Sequence, residues 1–375
     1  MTHIEERTPV YYHDYLQLDR LLSAQVPLSG GEAPPAHDEM LFIIVHQAYE
    51  LWFKQILHEL EAVHTIFEQP VVEDVQMGRI AGHLERVVAI QGLLIDQIDV
   101  LETMTALDFL DFRDVLVPAS GFQSVQFRLI ENLLGLRRSD RMLINEAPYT
   151  SRFAEFHRDR LEASEARPSL FDLVEAWLAR TPFLQFGDYD FWEEYRAAVG
   201  RMLDRERRLI EENPNLVEEG RAKELARTAD LEATFAAMLE PDAYAELRRR
   251  GVRRMSQEAF LAALLINLYR DEPMLQLPFR VLRSLGDVDE GFTLWRSRHA
   301  LMVRRMIGAK IGTGGTSGHH YLAEAANRHR IWTDLADVST FLIPRSRLPE
   351  LPTSVTQAMG FARSGGGGIP SDGGA

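Results

Sequence analysis

HDEMLFIIVHQAYELWFKQILHELEAVHTIFEQ, residues 37–69, reads as one long helix. Phe42, His46, Tyr49 and Phe53 follow one another at spacings of four, three and four, which stacks them on one face of a 3.6-residue helix. Pro34 and Pro35 break the chain just before it. The same periodicity runs through 83–104, 120–136, 169–180, 190–212, 256–270, 291–308 and 330–343. The second of these, SGFQSVQFRLIENLLGL, opens after Pro118 with Ser120 near its start. No run of alternating β-branched residues and no strand–helix–strand rhythm interrupts these segments, so the predicted fold class is all-α.

The 37–69 helix carries an imidazole where apolar side chains belong. His46 shares its face with Phe42, Tyr49 and Phe53. Such a histidine is either a satisfied core residue or a functional one. A second stripe repeats the pattern in GFTLWRSRHALMVRRMIG, residues 291–308, where Trp295, His299, Met302 and Met306 are again spaced four, three and four. Arg296, Arg304 and Arg305 are expected to point elsewhere. Two histidines on the apolar faces of separate helices are one way for a helical bundle to hold haem or a metal.

Composition narrows the chemistry. The chain has 375 residues, 46% of them hydrophobic, which is ample for a large core. Its formal net charge of −15 makes nucleic acid and anionic membrane poor partners. There is no cysteine, so disulfides, Cys-type zinc sites, iron–sulfur clusters and thiol nucleophiles are excluded. A haem, if bound, takes His, Met or Tyr. MTHIEERTPV at the N-terminus lacks an apolar core for a secretory signal. No apolar run reaches the ~18 residues of a membrane span. The expected location is the cytoplasm.

Other motifs carry less. Arg113 shares a helical face with Phe109 and Leu116, and its guanidinium needs an anion: an internal carboxylate, or the carboxylate of a substrate. GTGGTSG, residues 312–318, lacks a Walker-type ending and reads better as a lid whose Thr313 hydroxyl closes over a ligand. His319 and His320 are adjacent and diverge by ~100° on a helix, which suits one shared ion poorly. His37-Asp38-Glu39 is no H-E-x-x-H motif, and no Glu-x-x-His set supports a di-iron bundle. Residues 140–255 are charge-rich and read as an accessory helical insertion, and the glycine-rich 351–375 as a disordered tail.

Five stretches together, YHDYLQLDRLLSAQ (12–25), HDEMLFIIVHQAYELWFKQILHELE (37–61), LDFLDFRDVLVPASGFQSVQFRLIENLLG (107–135), RHALMVRRMIGAKIGTGGTSG (298–318) and DLADVSTFLIPR (334–345), resemble the tryptophan 2,3-dioxygenase family. The resemblance spans residues 10 to 350. It implies a single all-helical domain over 1–350 that encloses haem b, a homotetramer, and oxidative opening of the indole ring of L-tryptophan by O2 to N-formyl-L-kynurenine. It further implies that His299 is the iron ligand and that His46 hydrogen-bonds the indole N–H. By the same likeness Arg113 clamps the substrate carboxylate, Phe42 and Phe109 wall the pocket, and Ser120 and Gly121 lie beside the haem. Thr313 then contacts the amino-acid end of the substrate. Tyr12, Tyr15 and Leu16, within an exchanged segment at 10–25, complete a neighbouring subunit's pocket. His13 stands where the family usually has Gly, and His319 where Tyr is common. These departures leave open a relative that acts on a substituted tryptophan or inserts a single oxygen atom.

Overall fold

A computed structural model describes residues 9–31, 34–143, 147–181, 185–186, 189–310, 312, 318–353 and 355. Among them fifteen α-helices follow in chain order: α1 Tyr12–Leu16, α2 Leu18–Leu22, α3 His37–Phe67, α4 Asp74–Leu101, α5 Ala106–Arg113, α6 Val125–Leu134, α7 Glu155–Glu165, α8 Leu170–Leu178, α9 Phe191–Glu211, α10 Glu218–Leu239, α11 Pro241–Arg249, α12 Gln257–Leu268, α13 Pro273–Ile307, α14 Gly318–Arg328 and α15 Thr333–Asp337. The one β-ladder among the described residues pairs Gln185–Phe186 with Tyr189–Asp190. The fold is all-α. No helix of the described residues is long and apolar enough to cross a membrane. The glycine-rich tail beyond residue 355 and the loop residue Thr313 lie outside the described residues.

The chain divides into two compact units, each gathered from three segments. The first takes Met1–Glu59, Val87–Ala166 and Glu290–Arg330; the second takes Leu60–Arg86, Arg167–Asp289 and Ile331–Ala375.

In the first unit α3, α4 and α13 supply the long walls. The Tyr49 hydroxyl donates to the Leu94 carbonyl at 2.9 Å, and Gln97 Nε2 donates to the Val45 carbonyl at 3.0 Å. Helix α13 comes so close to α4 at Gly291 that a β-carbon there would sit 2.4 Å from the Gln91 side-chain amide and would have to displace it. Short α5 is started by a reciprocal capping box between Thr105 and Asp108. Helix α6 follows a separate 3-10 turn, Gly121–Gln123, because both Ser120 and Ser124 cap helical starts; the helix predicted from residue 120 therefore begins at Val125. Gly135, at φ 112°, ends it.

The second unit is organised by α12, whose residues Ala259–Ile266 are all buried. Asp334 accepts the backbone N–H groups of Arg254 and Met255 at 2.8 and 2.6 Å and pairs with Arg253, tying the start of α15 to the approach to α12. Tyr195 on α9 donates its hydroxyl to the Phe341 carbonyl at 2.5 Å. Helix α13 starts eighteen residues before the predicted 291. Pro273 occupies its first turn, where the missing N–H costs nothing, and Pro278 is tolerated inside it.

Candidate active site

The two stripes read from the sequence meet. A cavity of about 290 Å³ lies within the first unit and is bordered by Phe42, His46, Tyr49 and Phe53 of α3 and by Trp295, His299, Met302 and Met306 of α13. Helix α5 adds Phe109 and Arg113, and the turn before α6 adds Ser120 and Gly121. Spacings of three and four thus carried both stripes to one site.

His46 is held by its own helix. Its Nδ1 lies 2.7 Å from the Phe42 carbonyl. A carbonyl only accepts, so Nδ1 carries the proton and Nε2 is left as an acceptor. No protein partner takes Nε2 among the described residues. Burial lowers the His46 pKa, against the opposing pull of the Phe42 carbonyl and the Glu50 carboxylate. The imidazole also packs on Phe42, ring centres 4.0 Å apart.

His299 is the more isolated imidazole. Burial, with a smaller repulsion from His46, pushes its pKa down to about 4, so it is neutral at pH 7. Its ring stacks on Trp295, centroids 5.6 Å apart and planes 16° apart. Trp295 is itself fixed by Tyr49, Phe53 and Phe127 at 5.0–5.9 Å. No hydrogen bond to either nitrogen of His299 occurs among the described residues, so a lone pair is free for a metal. A bare ion needs three or four protein ligands. Among the described residues no group of three or more His, Asp or Glu is placed to hold one. The donor set therefore suits a metal that would arrive within a cofactor supplying most of its ligands.

Phe42 and Phe109, ring centres 5.8 Å apart, pack on each other as one aromatic wall of the cavity. Arg113, one turn beyond Phe109 on α5, brings a guanidinium to the same cavity. The Ser120 hydroxyl accepts the Phe122 N–H at 3.4 Å and retains its own proton for donation. Thr313 lies outside the described residues; the preceding Gly312 borders the cavity. Tyr12, Tyr15 and Leu16 do not border the cavity of their own chain; they stand on α1, exposed by 71, 74 and 40%.

Sequence reasoning missed a charged wall. Glu131 on α6 is buried and accepts from Arg128 at 2.7 Å, Arg141 at 2.5 Å and Arg296 at 2.8 Å. His329 stands 3.7 Å away. Burial pushes the Glu131 carboxyl up, but Arg128, Arg141, the His329 contact and Arg296 outweigh it and hold the pKa well below the usual range. Arg296, expected to point away from the core, is buried here: the α13 face beside the His299 stripe packs against α6. The available signal was Arg128 and Glu131, three apart inside an otherwise apolar run.

Comparison with known proteins gives one answer over nearly the whole chain. The family described as Tryptophan 2,3-dioxygenase matches residues 2–342. A tryptophan 2,3-dioxygenase of Bdellovibrio bacteriovorus is 51% identical over 353 residues, covering 94% of this chain and 98% of the relative. Those of Dictyostelium discoideum and Xenopus laevis are 46% and 44% identical, covering 95% and 92% of this chain and 89% and 85% of theirs. With matches of this length and the two histidine-bearing helices facing one cavity, the chain belongs to the tryptophan 2,3-dioxygenase family.

Proposed function

We propose that the protein uses haem b and O2 to cleave the indole C2–C3 bond of L-tryptophan, giving N-formyl-L-kynurenine. The observation that carries this reading is the pairing of two neutral imidazoles at one cavity, with no protein hydrogen bond to His299 and with the His46 Nε2 set as an acceptor. His299 would hold the haem iron, with Ser120 and Gly121 beside the macrocycle. When bound, the haem supplies ferrous iron and hence the oxygen chemistry.

The remaining work falls to the chain's own side chains. The indole packs against the Phe42–Phe109 wall, and a few polar groups fix the amino-acid end. His46 Nε2 accepts the indole N–H and so orients the ring. Arg113 grips the carboxylate with two parallel N–H bonds that a lysine cannot reproduce. Thr313 contacts the same end of the substrate, and closure of its loop excludes water. Tyr12, Tyr15 and Leu16 reach a neighbouring subunit's cavity in a homotetramer. Residues 1–350 act as one functional domain in the cytoplasm, with the charge-rich 140–255 region as an accessory helical insertion.

Neither His13 nor His319 borders the cavity of its own chain, and His13 lies in the segment proposed to reach a neighbour's cavity; turnover of a substituted tryptophan or insertion of a single oxygen atom is the alternative reading. Oxygen uptake by the reduced, haem-loaded protein tests the proposal. Uptake should depend on added L-tryptophan, one O2 per tryptophan consumed. Tight tryptophan binding with no uptake would overturn it in favour of a sensor.

A further inference from the structure

A third ring stands behind the aromatic wall. Phe112 follows Phe109 by three residues on α5, does not border the cavity and is 1% exposed. It is the one buried residue of α5. Its ring centre lies 5.6 Å from Phe42 at 66° and 5.4 Å from Phe109 at 87°, the edge-on arrangement that aromatic quadrupoles favour. The three phenylalanines close a triangle in which two rings face the cavity and the third props both. Phe42 in turn carries the His46 imidazole.

We propose that Phe112 is a positioning residue that sets substrate specificity: it backs both Phe42 and Phe109 and so fixes how far their shared aromatic wall stands into the cavity. The inference rests on the reading above that an indole packs against this wall. Protein interiors are close-packed, so the two wall rings cannot withdraw while Phe112 occupies the space behind them. Truncating it leaves a void that its neighbours fill only in part. Phe42 or Phe109 can then retreat, and a substituent on the indole gains room. One methyl group in an apolar pocket is discriminated by roughly 10–200-fold, so losing that discrimination is measurable.

The test uses the haem-loaded protein and its Phe112→Leu and Phe112→Ala variants. L-Tryptophan and its 4-, 5-, 6- and 7-methyl derivatives are compared by kcat/KM and, without O2, by Kd. The unsubstituted protein should discriminate against at least one methyl derivative. In Phe112→Ala the methyl-to-parent ratio at that ring position should rise by about tenfold or more, with a smaller rise in Phe112→Leu. A uniform loss across all five compounds, with ratios held within about twofold, would mean that Phe112 is only structural and overturn the proposal. So would an unsubstituted protein that accepts every methyl derivative as well as tryptophan. Phe191→Leu, at an equally buried ring of the second unit, should leave the ratios unmoved. The Leu variant and the Kd series carry the test if the Ala variant fails to fold or turnover is lost. Failure of the underlying reading shows separately, as absence of tryptophan-dependent O2 uptake in the unsubstituted protein.

Discussion

Replacing Glu131 with glutamine keeps the shape of the side chain and removes the one negative charge that three buried guanidiniums share. Glutamine retains a single carbonyl acceptor where the carboxylate accepts from Arg128, Arg141 and Arg296. Breaking a buried ion pair from one side costs about 3–5 kcal/mol, because the partner charges stay behind uncompensated. Glu131→Gln should therefore lose about that much stability at pH 7, read from urea unfolding of the haem-free protein. The pH dependence separates charge from shape. The folded pKa lies well below the ordinary 4.5, so the carboxylate's contribution is fully present above pH 4.5 and is lost as pH falls toward the folded pKa. The gap between parent and variant should narrow by about 1.4 kcal/mol per pH unit over that window, since the variant has no proton to take up there. A gap under about 1 kcal/mol at pH 7, or one that stays constant down to pH 3, would refute the reasoning.

Three further outcomes concern the site. His299→Ala should lose stoichiometric haem, and one haem per chain after gel filtration would contradict its role as the ligand. Arg113→Ala should lower kcat/KM for L-tryptophan by the equivalent of about 2–4 kcal/mol, and Arg113→Lys should recover only part of it; unchanged kinetics would remove the carboxylate clamp. Protonated His46 has no acceptor to offer an indole N–H, and burial holds its pKa below the ordinary 6.5. Activity should therefore be full at pH 7 and fall only on acidification below 6.5, and His46→Ala should flatten that limb.

The periodic parts of this structure are readable in the sequence. Two stripes spaced four, three and four placed His46 and His299 at a common cavity because helical geometry maps sequence spacing onto a face. Arg113 was legible for another reason, as a guanidinium sharing a face with Phe109. The charged wall was not. Arg128, Glu131, Arg141, Arg296 and His329 come from separated segments, and a buried arginine looks like a surface one until its carboxylate is brought to it in space. Arg296 was misread for that reason. Phe112 escaped notice similarly: three aromatic residues of α5 and α3 form a triangle only once the two helices pack. The boundaries of α6 and α13 moved because two serines cap in succession before one and prolines sit inside the other.

The most direct test of the central claim is the mass of the product. The haem-loaded protein is reduced without air, given L-tryptophan, and exposed to O2 labelled with oxygen-18. Cleavage of the C2–C3 bond with both atoms retained predicts a product carrying two labelled oxygens and no unlabelled one from water. A product with one labelled oxygen, or turnover only of a substituted tryptophan, would contradict it.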